Sequence, residues 1–277
     1  MRLFPALPRS VFRCACIGVA LFTMLIIEAG CGGVSNFSKA NQQQPQTPQA
    51  VSDVVMSTRP VILFNGTGTI ANDVSAVETI LHDLGIAYAT ANSTQLNAMT
   101  QAQLNSYKLL IVPGGNSITI GKYLKATTTT NIHNAVIKGG LHYLGICAGG
   151  FFGGYSMYNG LNLTSGRWFN FYNDYYRGIH KESLNISYPG GSKLDVYWQD
   201  GPQFTGWGSI VARFPDGTPA VVEGKSGVGW VILAGVHPEA PATWRYGMSF
   251  TSSVASNTLY AKTLVSAALH GTWLPHY

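Results

Sequence analysis

The chain has 277 residues, of which 46% are apolar and only 10% are Asp, Glu, Lys or Arg, against about 25% charged residues in an average soluble protein. That supplies enough apolar material for a substantial core and excludes a disordered protein. The net charge of +5 comes without any Lys/Arg cluster interleaved with aromatic residues, so no nucleic-acid-binding surface is expected.

Residues 1–13 carry Arg2, Arg9 and Arg13, and CACIGVALFTMLII (14–27) is an unbroken apolar stretch ending at Glu28-Ala29-Gly30-Cys31. A charged start, an apolar middle and a small-residue exit make residues 1–30 a signal peptide. Fourteen apolar residues fall short of the roughly 20 needed to span a bilayer as a helix. The ending resembles a bacterial lipoprotein signal, which implies acylation of Cys31 and a lipid anchor at a membrane of the cell envelope. It departs from that pattern at Glu28, where such signals carry an aliphatic residue; plain secretion and an uncleaved anchor are the alternatives. Three cations and one anion precede Cys31, so the mature net charge is +3. Residues 31–58, polar and rich in Gln and Pro, read as a disordered linker giving reach to one domain over 59–277. Cys14 and Cys16 leave with the signal and Cys31 is the acylation position, so Cys147 is the one thiol of the mature domain.

From Arg59-Pro60 the pattern alternates. VILFN (61–65) predicts a central strand; DVSAVETILHDLG (73–85) predicts a helix with Val74, Val77, Ile80, Leu81 and Leu84 on one face, Asn72 or Asp73 as cap and Gly85 as stop. Residues 86–90 predict a second strand, 96–107 a helix, and KLLIVPGG a third strand closing at Pro113-Gly114-Gly115. A helix over 132–138 precedes LHYLGIC, a fourth strand ending at Cys147. This alternation predicts a mostly parallel, doubly wound α/β sheet, and ligands bind such sheets beyond the carboxyl ends of the strands. After Tyr155 the runs become short, aromatic and Gly-punctuated, predicting antiparallel strands that extend the sheet, and residues 257–270 close the domain as a helix.

GICAGG places Cys147 between Gly145 and Gly149, the crowding-relieved arrangement of a nucleophile on a tight strand-to-helix turn. A helix starting at AGGFFGGY would favour the thiolate through its free N–H groups. A small packed core thiol in a Gly-rich turn fits the same residues. A thiol nucleophile needs a base and the base an orienting acceptor. ILAGVHPEAP supplies both: on an extended segment His237 and Glu239, two apart, point the same way. The remaining histidines of the domain read as structural. NGTGT (65–69) lacks the Lys of a phosphate loop and reads as a strand-end turn. WFNFYNDYY (168–176) fits either a stacking pocket wall or a hairpin core. No metal-ligand spacing and no cofactor motif is present.

PGG, GICAGG and HPE in this order, within and behind an alternating α/β half, resemble the class I glutamine amidotransferase fold. The stretch Tyr197-Trp198-Gln199-Asp200-Gly201-Pro202-Gln203-Phe204 resembles, more narrowly, the N-terminal domain family of biotin-protein ligases, and the likeness runs from about Arg59 to Pro241. It implies a flavodoxin-like sheet, Cys147 as nucleophile, His237 as base and Glu239 as orienter. It also implies an oxyanion hole from backbone N–H groups near Gly114, Gly115 and Ala148. No segment of these residues resembles a biotin-activating or synthetase domain, so biotin ligation and ammonia transfer are not expected. Two functions remain: a cysteine-dependent amidase or peptidase working through a thioester, with a small-molecule or peptide substrate, or a lipoprotein that binds a carbohydrate, peptide or protein partner in the same pocket without turnover.

Overall fold

Three runs of four apolar residues make the centre of the sheet: Val61–Phe64 (β1), Leu109–Val112 (β3) and His142–Ile146 (β4), the last with one extra residue. The computed structural model describes residues 59–190 and 192–277, so the expected signal peptide, Cys31 and the whole of the expected linker lie outside the described residues. Tyr88–Ala91 (β2) and Gly229–Ala234 (β11) complete a parallel set, β2-β1-β3-β4-β11. Beyond β11 the same sheet continues through Pro219–Ser226 (β10), Ser209–Arg213 (β9), Lys181–Tyr188 (β6) and Ser192–Gln199 (β7), each antiparallel to its neighbour. The expected α/β fold is therefore present as a nine-stranded mixed sheet, five strands parallel and four antiparallel. A separate two-stranded ribbon pairs Asn170–Phe171 (β5) with Pro202–Gln203 (β8).

Side-chain alternation divides the core between two faces. Val61 and Leu63 pack under Ala71–Asp83 (α1) and Val254–His270 (α7), while Ile62 and Phe64 face the short helices on the other side. Those helices are Ser93–Ala98 (α2), Gln101–Leu104 (α3), Ser117–Tyr123 (α4), Ala126–Ile137 (α5) and Ala148–Gly153 (α6). The single helix expected over 96–107 is thus two, each begun by its own capping box, Asn92 with Gln95 and Thr100 with Gln103. The helix expected at 132–138 starts earlier because Thr128 and Thr129 are buried in the same face as Ile132. α4 was not expected; its Asn116 cap accepts from the Thr119 N–H at 2.9 Å. Among the described residues no helix is long and apolar enough to cross a membrane.

Candidate active site

The parallel strands deliver four segments to one rim of the sheet. After β1 the chain turns into α1, whose third residue is Asp73. After β3 come Gly114 and Gly115, after β4 comes Cys147, and after β11 comes His237. The order 2-1-3-4 followed by β11 is that of flavodoxin-like sheets, in which the rim beside the order reversal is the binding edge.

Cys147 stands at the junction of β4 and α6 with φ 50 and ψ −106, a backbone conformation that non-glycine residues rarely adopt. Its N–H is tied to the Ala234 carbonyl of β11 at 2.8 Å. Close approach of α6 to the sheet holds the turn: a Cβ at Gly149 would lie 1.9 Å from the Val112 carbonyl oxygen. α6 has only six residues, so its dipole adds less to thiolate stability than the sequence expectation allowed. The Sγ lies 3.5 Å from the Gln199 carbonyl oxygen and in hydrogen-bonding contact with the His237 imidazole. Cys147 is a free thiol, buried from bulk solvent yet part of the cleft wall.

His237 follows β11 and is pinned by its N–H to the Tyr197 carbonyl at 2.8 Å. Its Nδ1 is 2.9 Å from Glu239 Oε1, which leaves Nε2 to face the sulfur. The pair does not form by strand alternation, as expected. Residues 237–239 turn, closed by the Ala240 N–H to the His237 carbonyl at 3.2 Å, and that turn brings Glu239 back under the ring. Burial alone would lower the His237 pKa, but the Cys147 sulfur and the Glu239 carboxylate together hold it well above its ordinary value. The ring is thereby favoured as an imidazolium beside the Cys147 sulfur and the Glu239 carboxyl.

A second carboxylate stands beside this ring. Asp73 Oδ1 is 3.4 Å from His237 Nδ1, and both side chains are buried. Asp73 was expected as a cap of α1; the N-cap is Ile70, and the carboxylate turns instead toward the histidine. Gly114 makes the room, since a Cβ there would lie 1.9 Å from Asp73 Oδ1 and 2.8 Å from His237 Cε1. Burial raises the Asp73 pKa to about 6, the charge on His237 opposing and that on Glu239 adding to the rise. Asp73, His237 and Glu239 are also the one group among the described residues whose ligand-type atoms lie close enough to hold a metal, all within 4.8 Å. The Nδ1 nitrogen that a cation would need is already bonded to Glu239, so the chemistry of the set is that of a proton network.

A cleft of about 650 Å³ opens over the sulfur. Gly115 and Ala148 line it, whereas Gly114, expected with them, lies behind the Asp73–His237 pair and uses its carbonyl to accept the Ile70 N–H at 3.1 Å. Ala148 is the first residue of α6, so its N–H has no intrahelical acceptor. Phe151, Phe171 and Tyr175 form one wall, with Phe171 stacked on Tyr175 at 3.9 Å. Tyr197 and Trp244, with ring centroids 5.5 Å apart, form a second, and Tyr246 also lines the cleft. Both readings of WFNFYNDYY hold at once: Phe171 and Tyr175 face the cleft, while Phe169 and Tyr172 pack inward on Phe204 and Phe214. The stretch 197–204 gives the site the Tyr197 and Gln199 carbonyls, and its Phe204 packs in the core against Phe169.

Residues 59–195 match the family model described as "Biotin-protein ligase, N terminal". The match includes Asp73 and Cys147 and stops short of His237. No curated protein sequence matches the chain. Among solved structures, PurLQS from Thermotoga maritima superposes with a TM-score of 0.51 at 16% identity, covering 74% of this chain and 97% of that one. A glutamine amido transferase from Methylobacillus flagellatus gives 0.52 at 13% identity, covering 80% and 98%. At such identities these likenesses speak to the fold.

Proposed function

From a class I glutamine amidotransferase-like fold and a partial match to the biotin-protein ligase N-terminal family, we propose that this protein is a cysteine-dependent hydrolase of amide or peptide bonds. The observation that carries the reading is the single imidazole bonded on one side to a strained, cleft-lining thiol and on the other to a buried carboxylate. His237 holds the proton given up by Cys147, and the sulfur attacks the carbonyl carbon as a thiolate. The oxyanion is met by the N–H groups of Gly115 and Ala148, each well-placed donor contributing about 3 kcal/mol. His237 then returns the proton to the nitrogen, the C–N bond breaks and the amine leaves a thioester on Cys147. Water, deprotonated by His237, attacks that thioester; the C–S bond breaks, the acid is released and the thiol is regenerated. The N-terminal signal and Cys31 support a lipid-anchored location in the cell envelope. Incorporation of labelled fatty acid that disappears in Cys31→Ala is the expected result, and unchanged incorporation would refute it.

The test of the nucleophile is alkylation of the purified full chain by iodoacetamide from pH 5 to 9, read by mass spectrometry on the peptide that contains Cys147. Folded Cys147 is expected to react at pH 6 at least about tenfold faster than in the urea-unfolded chain, and His237→Ala to remove that advantage. Equal rates in folded and unfolded chain refute the reading. The second reading, a lipoprotein that binds a ligand without turnover, is favoured by the two aromatic walls and by Tyr246, which is 91% exposed at the cleft mouth. Its signature is a ligand held equally by wild type and Cys147→Ala with no covalent adduct.

A further inference from the structure

We propose that Asp73 is a second acidic partner of His237, placed to strengthen the Cys147–His237 ion pair when it is ionised and to release it when it is protonated. The inference rests on the hydrolase reading and adds a pH-dependent control to it. It starts from a redundancy. An imidazole Nδ1–H makes one good hydrogen bond, and Glu239 already accepts it at 2.9 Å. Asp73 Oδ1, at 3.4 Å from the same nitrogen, is too far to share that proton well and near enough for its charge to matter. A buried carboxyl on a helix face normally has a hydrogen-bonding reason for its burial. Here the surroundings are built to admit it: Gly114 gives up the space that a Cβ would occupy, and α1 starts at Ala71 so that its first turn projects Asp73 into the cleft.

The groups facing Asp73 are few. His237 and Glu239 come from the segment after β11, Cys147 from the β4–α6 turn and Tyr197 from β7, with Asp200 farther along the cleft. Glu239 is hydrogen-bonded to the ring with its side chain 1% exposed. Asp73, unlike Glu239, also lines the cleft, and its proton is lost near pH 6. Below that point the imidazolium has one carboxylate beside it; above it, two. Asp73 acts through His237 and so is a positioning residue.

The assay is the Cys147 alkylation profile of the full chain, with Asp73→Asn, which keeps the shape of the side chain, and Asp73→Ala, which empties its place. An opposite charge at this distance moves a pKa by about one unit or more, so both variants are expected to react about tenfold slower than wild type at pH 7.5. The difference is expected to close as the pH falls through 6, with wild type and variants reacting alike at pH 5. A constant ratio at all pH values, or identical profiles, overturns the inference. If wild-type Cys147 reacts no faster than in the unfolded chain, the hydrolase reading itself fails. A fast, His237-dependent Cys147 with no change in the Asp73 variants sinks the Asp73 role alone.

Discussion

Glu223 gives the sharpest stability prediction. Its side chain is fully buried on β10; Oε1 accepts the Leu274 N–H at 2.8 Å, and Oε2 has no partner. His276 Nδ1, at 3.9 Å, is the nearest cationic group. Burial outweighs both the Leu274 hydrogen bond and His276 and raises the carboxyl to about 7. A carboxyl with a raised native pKa contributes its full stability below the unfolded pKa. That stability falls away as the pH climbs through the native value, because the unfolded chain releases its proton first. Moving the group from 4.5 to about 7 sets a ceiling of about 3 kcal/mol for the loss between pH 4 and pH 8. Glu223→Gln keeps an acceptor for Leu274 and cannot ionise. Urea denaturation is expected to find the variant close to wild type at pH 4.5 and more stable than it by up to about 3 kcal/mol at pH 8. Parallel curves for the two proteins across that range would refute the buried-carboxyl argument.

Replacing Glu239 by Gln removes the better of the two acceptors of His237 Nδ1 and is expected to slow Cys147 alkylation at pH 7 by about tenfold or more; an unchanged rate would deny Glu239 its orienting role. Gly149→Ala would set a Cβ 1.9 Å from a backbone carbonyl. It is expected to cost about 1–3 kcal/mol in urea unfolding, and an unchanged midpoint would show that α6 has room to move. Phe171→Ala removes the ring stacked on Tyr175 at a stability cost of about 1 kcal/mol. Because that ring lines the cleft, it is expected to weaken binding of any ligand found there by a larger factor, measured by titration calorimetry on Cys147→Ala chains carrying or lacking the substitution.

The parallel half was legible because its central strands are buried apolar runs followed by Gly or Pro, as in VILFNG and KLLIVPGG, and such strands have little freedom in what they can be. Cys147 and His237 were legible because each stands directly after one of those runs. Asp73 was not, since an acidic residue at the start of an amphipathic helix is first of all a helix-terminus signal, and only the partner across the rim shows its other use. The clue that existed was Gly114, a glycine at negative φ with no turn to explain it beyond the space it leaves. The break between α2 and α3 was hidden because Leu96 and Leu104 are both buried in the core while the cap at Thr100 restarts the helix between them. The width of the antiparallel half follows from pairings between strands far apart in sequence, such as Ser187 with Arg213, which no local pattern encodes.

The backbone bond from His237 to the Tyr197 carbonyl ties the rim of β11 to the outermost antiparallel strand. Ninety residues separate the sulfur from the ring that would activate it, and the strand that seats the ring lies between them. A chain still emerging from a ribosome therefore carries its thiol without the histidine, and the two meet only when the last strands close. Any chemistry that needs both groups is in this way a mark of completed folding.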